Sequence, residues 1–250
     1  MLSPQKNNME KEFESRYHEL EENHWWFKAR RDILMNLIEK FPKESKILDI
    51  GCSGGALIKK LEKIGYTNCT GVDISEKAIK LCKSRGIKNC YLMDGGKISF
   101  NEKFDFIIAS DVLEHIKDDK KAVQTWKKVL AKNGRIICFV PAFSFLWSHH
   151  DAENQHYRRY ERNKLLSLFK SEKIVIERLS YWNFFLFFPV AIIRLVQNNF
   201  FRGSYKSQLK KSPSLINSFL YYLLNFENDM LKHFNLPIGI SIFLIAKDIN

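Results

Sequence analysis

The stretch KILDIGCSGG, residues 46–55, decides the fold. Its apolar start, Ile47–Ile50, is typical of a short buried strand, and its second half is a glycine-rich turn that leads into a helix near Ala56. Such a turn leaves backbone N–H groups and a helix N-terminus free to face a ligand above the sheet. The dinucleotide pattern G-x-G-x-x-G fits poorly, because its second and third glycines fall on Ser53 and Ala56. Asp49, two residues before the first glycine, suits a cationic cofactor that carries an amino acid.

Further strands and helices alternate after this turn. Apolar runs predict strands near residues 69–75, 89–93, 103–109, 174–179 and 240–247, and residues 130–141 predict a helix end, a tight Asn-Gly turn and a further strand. The first five strand–helix units imply a parallel sheet with right-handed crossovers. Asp73 ends the second strand about 20 residues after the glycine turn, where a carboxylate can accept hydrogen bonds from both hydroxyls of a ribose.

Two motifs carry a resemblance to a known family. DIGCSGG (residues 49–55) and FDFIIASDVLEHI (residues 104–116) resemble motifs of class I S-adenosylmethionine-dependent methyltransferases, with Ser53 in place of a glycine. The resemblance implies an α/β fold with a seven-stranded Rossmann-like sheet, mostly parallel with an antiparallel last strand. It also implies S-adenosyl-L-methionine as cofactor and S-adenosyl-L-homocysteine as product. The cofactor-binding residues it predicts are Asp49, Gly51, Ser53, Gly55, Asp73, Ile74, Asp94, Gly95, Ser110 and Asp111.

The N-terminal region is expected to be helical from about Glu10 to Lys40. We interpret residues 1–42 as a helical cap and residues 43–250 as the methyltransferase domain, with a helical insertion at 182–236 between strands six and seven. The sequence HWW-x-x-x-R at residues 24–30 resembles a subgroup of these enzymes and favours a cap over the cofactor or acceptor pocket. Trp26 and Arg30 are therefore predicted to bind the substrate, although the aromatic cluster could equally serve to hold the helix on the sheet.

Several histidines are candidates for a general base, because imidazole titrates near neutral pH. The candidates are His115, His149, His150 and His156, of which His115, directly after the strand-four exit, is the first choice and His150 is the second. A loop predicted at residues 147–160 is rich in ionisable groups that could bind a phosphate or carboxylate of the acceptor. Its predicted substrate-binding residues are His149, His156, Arg158 and Arg159.

Metal binding is the less favoured interpretation of the strand-four exit, residues 110–116. The order D-x-x-E-H (Asp111, Glu114, His115) is similar to the E-x-x-E-H of ubiquinone-biosynthesis O-methyltransferases, where it holds a divalent cation. Similar exits occur in many family members without a metal, and we expect none here.

The charge balance suggests an anionic partner. The net charge is +12, and residues 151–211 hold 12 Lys or Arg against 5 Asp or Glu. The aromatic run at 182–193 is too short to span a bilayer, but an apolar segment beside basic residues is typical of a surface that lies on an anionic membrane. The same run could instead cover the sheet or form a dimer interface. A surface simply rich in lysine is the other explanation of the charge.

We therefore expect a methyltransferase that acts on an oxygen or nitrogen of a small or lipid-linked acceptor. Five scattered cysteines and no visible secretory signal favour the cytoplasm, with peripheral attachment to the inner face of the membrane. A nucleic-acid methyltransferase is an alternative, but the strand-four exit lacks the asparagine-proline-proline-aromatic type of motif. A non-catalytic binding protein with the same fold is a third possibility. The acceptor and the oligomeric state are left open.

Overall fold

The computed structural model describes residues 17–200 and 212–249, with the side chains of residues 198–200 excepted. The predicted start of the N-terminal helix near Glu10 lies outside the described residues. So do four basic residues of the insertion that follow its aromatic run: Arg202, Lys206, Lys210 and Lys211.

One seven-stranded sheet forms the centre of the molecule. In chain order its strands are β1 (Ile47–Ile50), β2 (Cys69–Asp73), β3 (Cys90–Leu92), β4 (Phe104–Ser110), β5 (Leu130–Pro141), β6 (Val175–Trp182) and β7 (Ser241–Lys247). Their order in space is β3-β2-β1-β4-β5-β7-β6. The first five strands are parallel, and β7 runs antiparallel to both β5 and β6. The predicted Rossmann-like methyltransferase sheet is thereby confirmed.

Helices cover both faces of this sheet. They are α1 (Trp25–Ile38), α2 (Ala56–Lys63), α3 (Glu76–Ser84), α4 (Asp119–Val129), α5 (His149–Glu153), α6 (Arg162–Lys170), α7 (Phe187–Phe200) and α8 (Ser214–Met230). Two short 3₁₀ helices lie at Leu113–His115 and Ser144–Leu146. Within the described ranges, none of the helices has the length and apolar content that crossing a bilayer requires.

Two local predictions need correction. The helix expected to run without a break to Lys40 is interrupted at residues 22–24, because His24 caps α1 by accepting a hydrogen bond from the Trp26 backbone N–H at 3.3 Å. The loop expected at residues 147–160 contains α5, which begins at a capping box between Ser148 and Asp151. In both places a side chain that accepts backbone N–H groups decided the helix boundary.

Helix α8 of the insertion fastens α1 to the sheet. The side chain of Asn228, almost fully buried, donates to the Ala29 carbonyl at 2.9 Å and accepts from the Trp182 indole N–H at 2.8 Å. Near the other end of α8, the Tyr221 hydroxyl donates to Asp32 at 2.9 Å. The N-terminal helix, strand β6 and the insertion therefore form one packed unit, although they are far apart in sequence.

Candidate active site

A cavity of about 460 Å³ opens above the carboxyl ends of β1, β2, β4 and β5. Spatial neighbours β1 and β4 connect to opposite sides of the sheet, and open α/β sheets bind their ligands at such a switch point. One wall comes from residues 51–116, at the strand ends. Other parts come from residues 17–27, from α5 and the segment after it, from α7, and from residues 141, 183, 240 and 241. The cavity therefore joins the sheet to the N-terminal cap and to the insertion.

Asp73 organises the end of the cavity next to the glycine-rich turn. One of its carboxylate oxygens accepts from the Ser53 backbone N–H at 2.9 Å, and the other accepts from the Ser75 N–H at 2.8 Å. The first bond fixes the glycine-rich turn, and the second fixes the start of α3, where Ser75 is the N-cap. The carboxylate lines the cavity in this fixed orientation.

The serine in the glycine-rich turn is integrated into the site. Ser53 adopts a φ of +49°, in the region that favours glycine. Its hydroxyl bonds to Nδ1 of His18 at 3.1 Å and to Glu21 at 3.3 Å. These contacts connect the turn to the N-terminal segment, which a glycine at this position could not do. Gly51, at φ +72°, does not tolerate a side chain in the same way, because a Cβ there would lie 2.5 Å from the Val112 side chain.

The exit of β3 forms a second part of this wall. Asp94 accepts from the Gly96 N–H at 2.8 Å, and the Gly95 carbonyl accepts from the Trp126 indole at 2.7 Å. A Cβ on Gly95 would approach Ile50 to 3.0 Å, so a larger residue would disturb the packing under the cavity.

These residues fit S-adenosylmethionine. Of the ten predicted cofactor-binding residues, eight line the cavity: Gly51, Ser53, Asp73, Ile74, Asp94, Gly95, Ser110 and Asp111. The other two lie behind it. Gly55 is the N-cap of α2, and Asp49 is buried, with burial raising its pKa well above the usual range. The wall thus offers acidic groups for ribose hydroxyls and for a cationic ligand, with glycine backbone beside them.

Arg30 lies under the cavity rather than in its lining. Its guanidinium stands 4.2 Å from the ring centroids of Phe139 and Trp182, and it donates to the Ser241 hydroxyl at 3.0 Å. The same group approaches Asp111, a cavity residue with φ +58°, at 3.5 Å. The prediction that Arg30 contacts substrate therefore gains no support from its position, whereas Trp26 does line the cavity.

The two predicted bases, His115 and His150, both line the cavity and are half-buried. Burial, followed by the nearby His156, lowers the pKa of His115 to about 3. Burial likewise lowers the pKa of His150 to about 4. Both rings are therefore neutral at physiological pH and have little tendency to accept a proton.

The predicted anion-binding residues occupy three different settings. His156 and Arg159 line the cavity and share the buried carboxylate of Asp151. Arg158 pairs instead with Asp119, outside the lining. His149 faces outward, 3.3 Å from Glu153 on its own helix. The structure therefore brings two of these four side chains together at the cavity.

Glu114 gathers a set of potential ligands different from the one in the sequence motif. One oxygen or nitrogen from each of Glu114, His115 and His156 lies within 4.8 Å of the others. Asp111 is not part of this group. Glu114 is 1% exposed, and its pKa is raised well above the usual range by burial and then by Asp111.

Sequence reasoning missed several lining residues because their local sequence carries no signal. They are Tyr17, His18, Asn154, Asn183, Arg194 and Ser241. Burial and nearby carboxylates raise the pKa of Tyr17, which packs edge-on against Phe27 at 4.8 Å. Only the tertiary fold brings these positions to the cavity.

Known proteins share both the sequence pattern and the fold. Residues 48–138 match a family described as a methyltransferase domain. An uncharacterized protein of Methanocaldococcus jannaschii is 32% identical over 169 residues, which is 66% of this chain and 78% of that protein. The ubiquinone biosynthesis O-methyltransferase of Pelagibacter ubique is 31% identical over 42% of this chain, and the match spans only 45% of that enzyme.

A solved structure extends the likeness in fold to almost the whole chain. Phosphoethanolamine N-methyltransferase 2 of Haemonchus contortus, in complex with S-adenosyl-L-methionine, superposes with a TM-score of 0.64 at 15% identity. The superposition covers 98% of this chain and 59% of that one. Together with the acidic residues of the cavity wall, these matches show that the chain belongs to the class I S-adenosylmethionine-dependent methyltransferases and that S-adenosylmethionine is its cofactor.

Proposed function

We propose that the protein methylates an oxygen or nitrogen of a small or lipid-linked acceptor while it lies on the surface of an anionic membrane. The cofactor supplies a methyl group already activated on a sulfonium, so the protein mainly has to orient the acceptor and exclude water. The cavity suits this task, because the strand ends form its acidic wall and residues from three other segments close it.

The main support for the proposal is that one side of α7 lines the cavity and the other faces solvent. Val190 and Arg194 line the cavity. The opposite side of the helix is apolar and open to solvent, with Ile192 63% exposed and Ile193 52% exposed. One helix thus forms both a wall of the acceptor space and an exposed apolar surface.

Helix α8 also exposes apolar side chains. Its first three turns expose Leu215, Phe219 and Tyr222, which are 84%, 66% and 70% accessible. The connection between α7 and α8 has four Lys or Arg and no acidic residue in the sequence of residues 201–211. Apolar side chains next to basic residues are the composition that favours binding to anionic lipid. An acceptor held in such a surface would lie next to the cavity wall.

The relatives leave the acceptor atom open. One group is named for O-methylation in ubiquinone biosynthesis, and a structural neighbour is named for N-methylation of phosphoethanolamine. We therefore propose the class of acceptor rather than one compound.

Vesicle binding and labelling test the proposal together. The protein is sedimented with phosphatidylcholine vesicles that contain or lack phosphatidylglycerol, at physiological salt. We expect binding to the anionic vesicles and a large loss of it in Ile192→Glu/Phe219→Glu. A matched control is Val175→Glu/Tyr91→Glu, which places the same two charges at exposed apolar positions of the edge strands β6 and β3.

The labelling arm asks what is methylated. Protein and methyl-labelled S-adenosylmethionine are incubated with a total lipid extract and, separately, with total RNA. Label in the organic phase supports the proposal, whereas label in RNA would favour the nucleic-acid alternative. Equal sedimentation of the double variant and the wild type would remove the membrane from the proposal.

A further inference from the structure

We propose that His156 is the general base of the reaction and that Asp151 and Arg159 hold its ring in the form that this role requires. The inference rests on the proposed transfer to an acceptor whose oxygen or nitrogen still carries a proton. It concerns one of the five histidines that line the cavity, the one whose Nδ1 lies 3.0 Å from the buried carboxylate of Asp151.

The hydrogen bonds of Asp151 set the tautomer of His156. Nδ1 of His156 lies 3.0 Å from one carboxylate oxygen of Asp151. Burial alone would raise the pKa of this carboxyl, but the hydrogen bond from His156 and the charge of Arg159 hold it well below its usual range. An ionised carboxylate can only accept, so Nδ1 carries the proton and Nε2 keeps its lone pair.

The carboxylate itself is fixed from three other directions. Its second oxygen accepts from both the backbone N–H and the hydroxyl of Ser148 at 2.9 Å each. The first oxygen also accepts from Nε of Arg159 at 2.8 Å, and Arg159 in turn donates to the Ala142 carbonyl at 3.0 Å. Asp151 is fully buried. A carboxylate with this many donors cannot swing away, and the ring bonded to it is held in place.

Main-chain contacts bring this unit to the exit of β4. The Tyr157 N–H donates to the Glu114 carbonyl at 2.8 Å, and the ring of His156 meets the ring of His115 edge-on at 4.5 Å. His156 therefore lies on the cavity wall within a few ångströms of Glu114, next to the strand end that carries Asp111. A general base must lie beside the bound acceptor, and His156 lies on the cavity wall with its ring held by Asp151.

Two other histidines of the wall, His115 and His150, hold a proton weakly, because burial lowers their pKa values to about 3 and about 4. The charge of Asp151 acts on both rings in the opposite sense, but it does not outweigh their burial. The ring of His156 is hydrogen-bonded directly to that carboxylate, at 3.0 Å.

The reaction balances with one proton acceptor. The acceptor oxygen or nitrogen forms its bond to the methyl carbon, the electrons of the carbon–sulfur bond stay on sulfur, and the acceptor proton moves to Nε2 of His156. The product leaves, and the imidazolium returns the proton to water.

Two phenols of different acidity test the role of His156. Catechol keeps its proton near neutral pH, whereas 4-nitrocatechol is far more acidic and ionises without help. Wild type, His156→Gln and the surface control His233→Gln are assayed with both probes and methyl-labelled S-adenosylmethionine. We expect His156→Gln to lose about 10²- to 10⁴-fold in kcat on catechol and much less on 4-nitrocatechol. Calorimetry with S-adenosylhomocysteine checks that each variant is folded.

The outcomes distinguish a failure of the general-base assignment from a failure of the proposed function. Equal losses on both probes, or none, would overturn the assignment, because a purely structural side chain is indifferent to the acidity of the phenol. If wild type methylates neither phenol, ¹⁵N–¹H NMR of the histidine rings decides: the Nδ1–H tautomer of His156, altered in Asp151→Asn, supports the inference, and an Nε2–H tautomer refutes it. Failure on both phenols with intact cofactor binding counts only against phenolic acceptors.

Discussion

Replacing Arg30 by Met tests the ion pair under the cavity. Methionine fills similar space but removes the charge that faces Asp111 at 3.5 Å and the hydrogen bond to Ser241 at 3.0 Å. It also removes the stacking of the guanidinium on Phe139 and Trp182. Asp111 then keeps its negative charge without the cation that balances it.

The structure sets the size of the effect. Removing one partner of a buried ion pair costs about 3–5 kcal/mol. The cost is lower here, because the Asp111 side chain is 22% exposed and because Nε and Nη1 of Arg30 have no hydrogen-bond partner among the described residues. We expect Arg30→Met to lose about 2–3 kcal/mol of unfolding free energy, or about 5–10 °C in Tm for a chain of this size.

Urea unfolding followed by tryptophan fluorescence measures this loss. Arg30→Lys is the matched variant, since it keeps the charge but not the planar group. A double-mutant cycle with Asp111→Asn isolates the pair, and we expect a coupling of about 1–2 kcal/mol. A loss below about 0.5 kcal/mol in Arg30→Met, or a coupling near zero, would refute the reasoning, because the pair would then contribute nothing to the fold.

Three further predictions follow from other parts of the site. Asp73→Ala should weaken S-adenosylhomocysteine binding about 10- to 100-fold by calorimetry, since charged hydrogen bonds contribute about 1.5–3 kcal/mol; unchanged affinity would remove Asp73 from the cofactor site. Asn228→Ala should lower the free energy of unfolding by about 2–3 kcal/mol, because it breaks two buried hydrogen bonds, whereas an equal Tm would contradict that role. His115 and His150 have lowered pKa values in the folded protein, so the unfolded chain takes up protons at a higher pH than the folded one. The free energy of unfolding should therefore fall as the pH drops from about 6.5 toward 4. His115→Asn/His150→Asn should flatten this pH profile, and an unchanged slope would speak against buried neutral rings.

The sheet was predictable because its signals are local. Each strand of the first half is a short apolar run, and the side chain after it, such as Asp73 or Asp94, stands at a fixed place in this topology. Arg30 was misplaced for the opposite reason. The rings of Phe139 and Trp182 that enclose it lie more than 100 residues away, and no local pattern shows that they converge.

The electrostatic surroundings of the histidines were not predictable from the sequence either. A histidine after strand four suggests a base from its type and position alone. Its proton affinity depends on burial and on neighbours, which lower the pKa of His115 to about 3. Asp151, which is hydrogen-bonded to His156, looked in the sequence like one charge among several in a loop.

The hydroxyl of Ser53 has a consequence for turnover. It ties the cofactor-facing turn to His18 and Glu21, so docking of residues 17–21 and occupation of the turn are thermodynamically linked. Each of the two changes the other by the same factor. Residues 17 and 18 also line the cavity. We therefore expect Ser53→Gly, which removes both hydrogen bonds, to speed release of S-adenosylhomocysteine in a stopped-flow measurement, and an unchanged release rate would show that the two are not coupled.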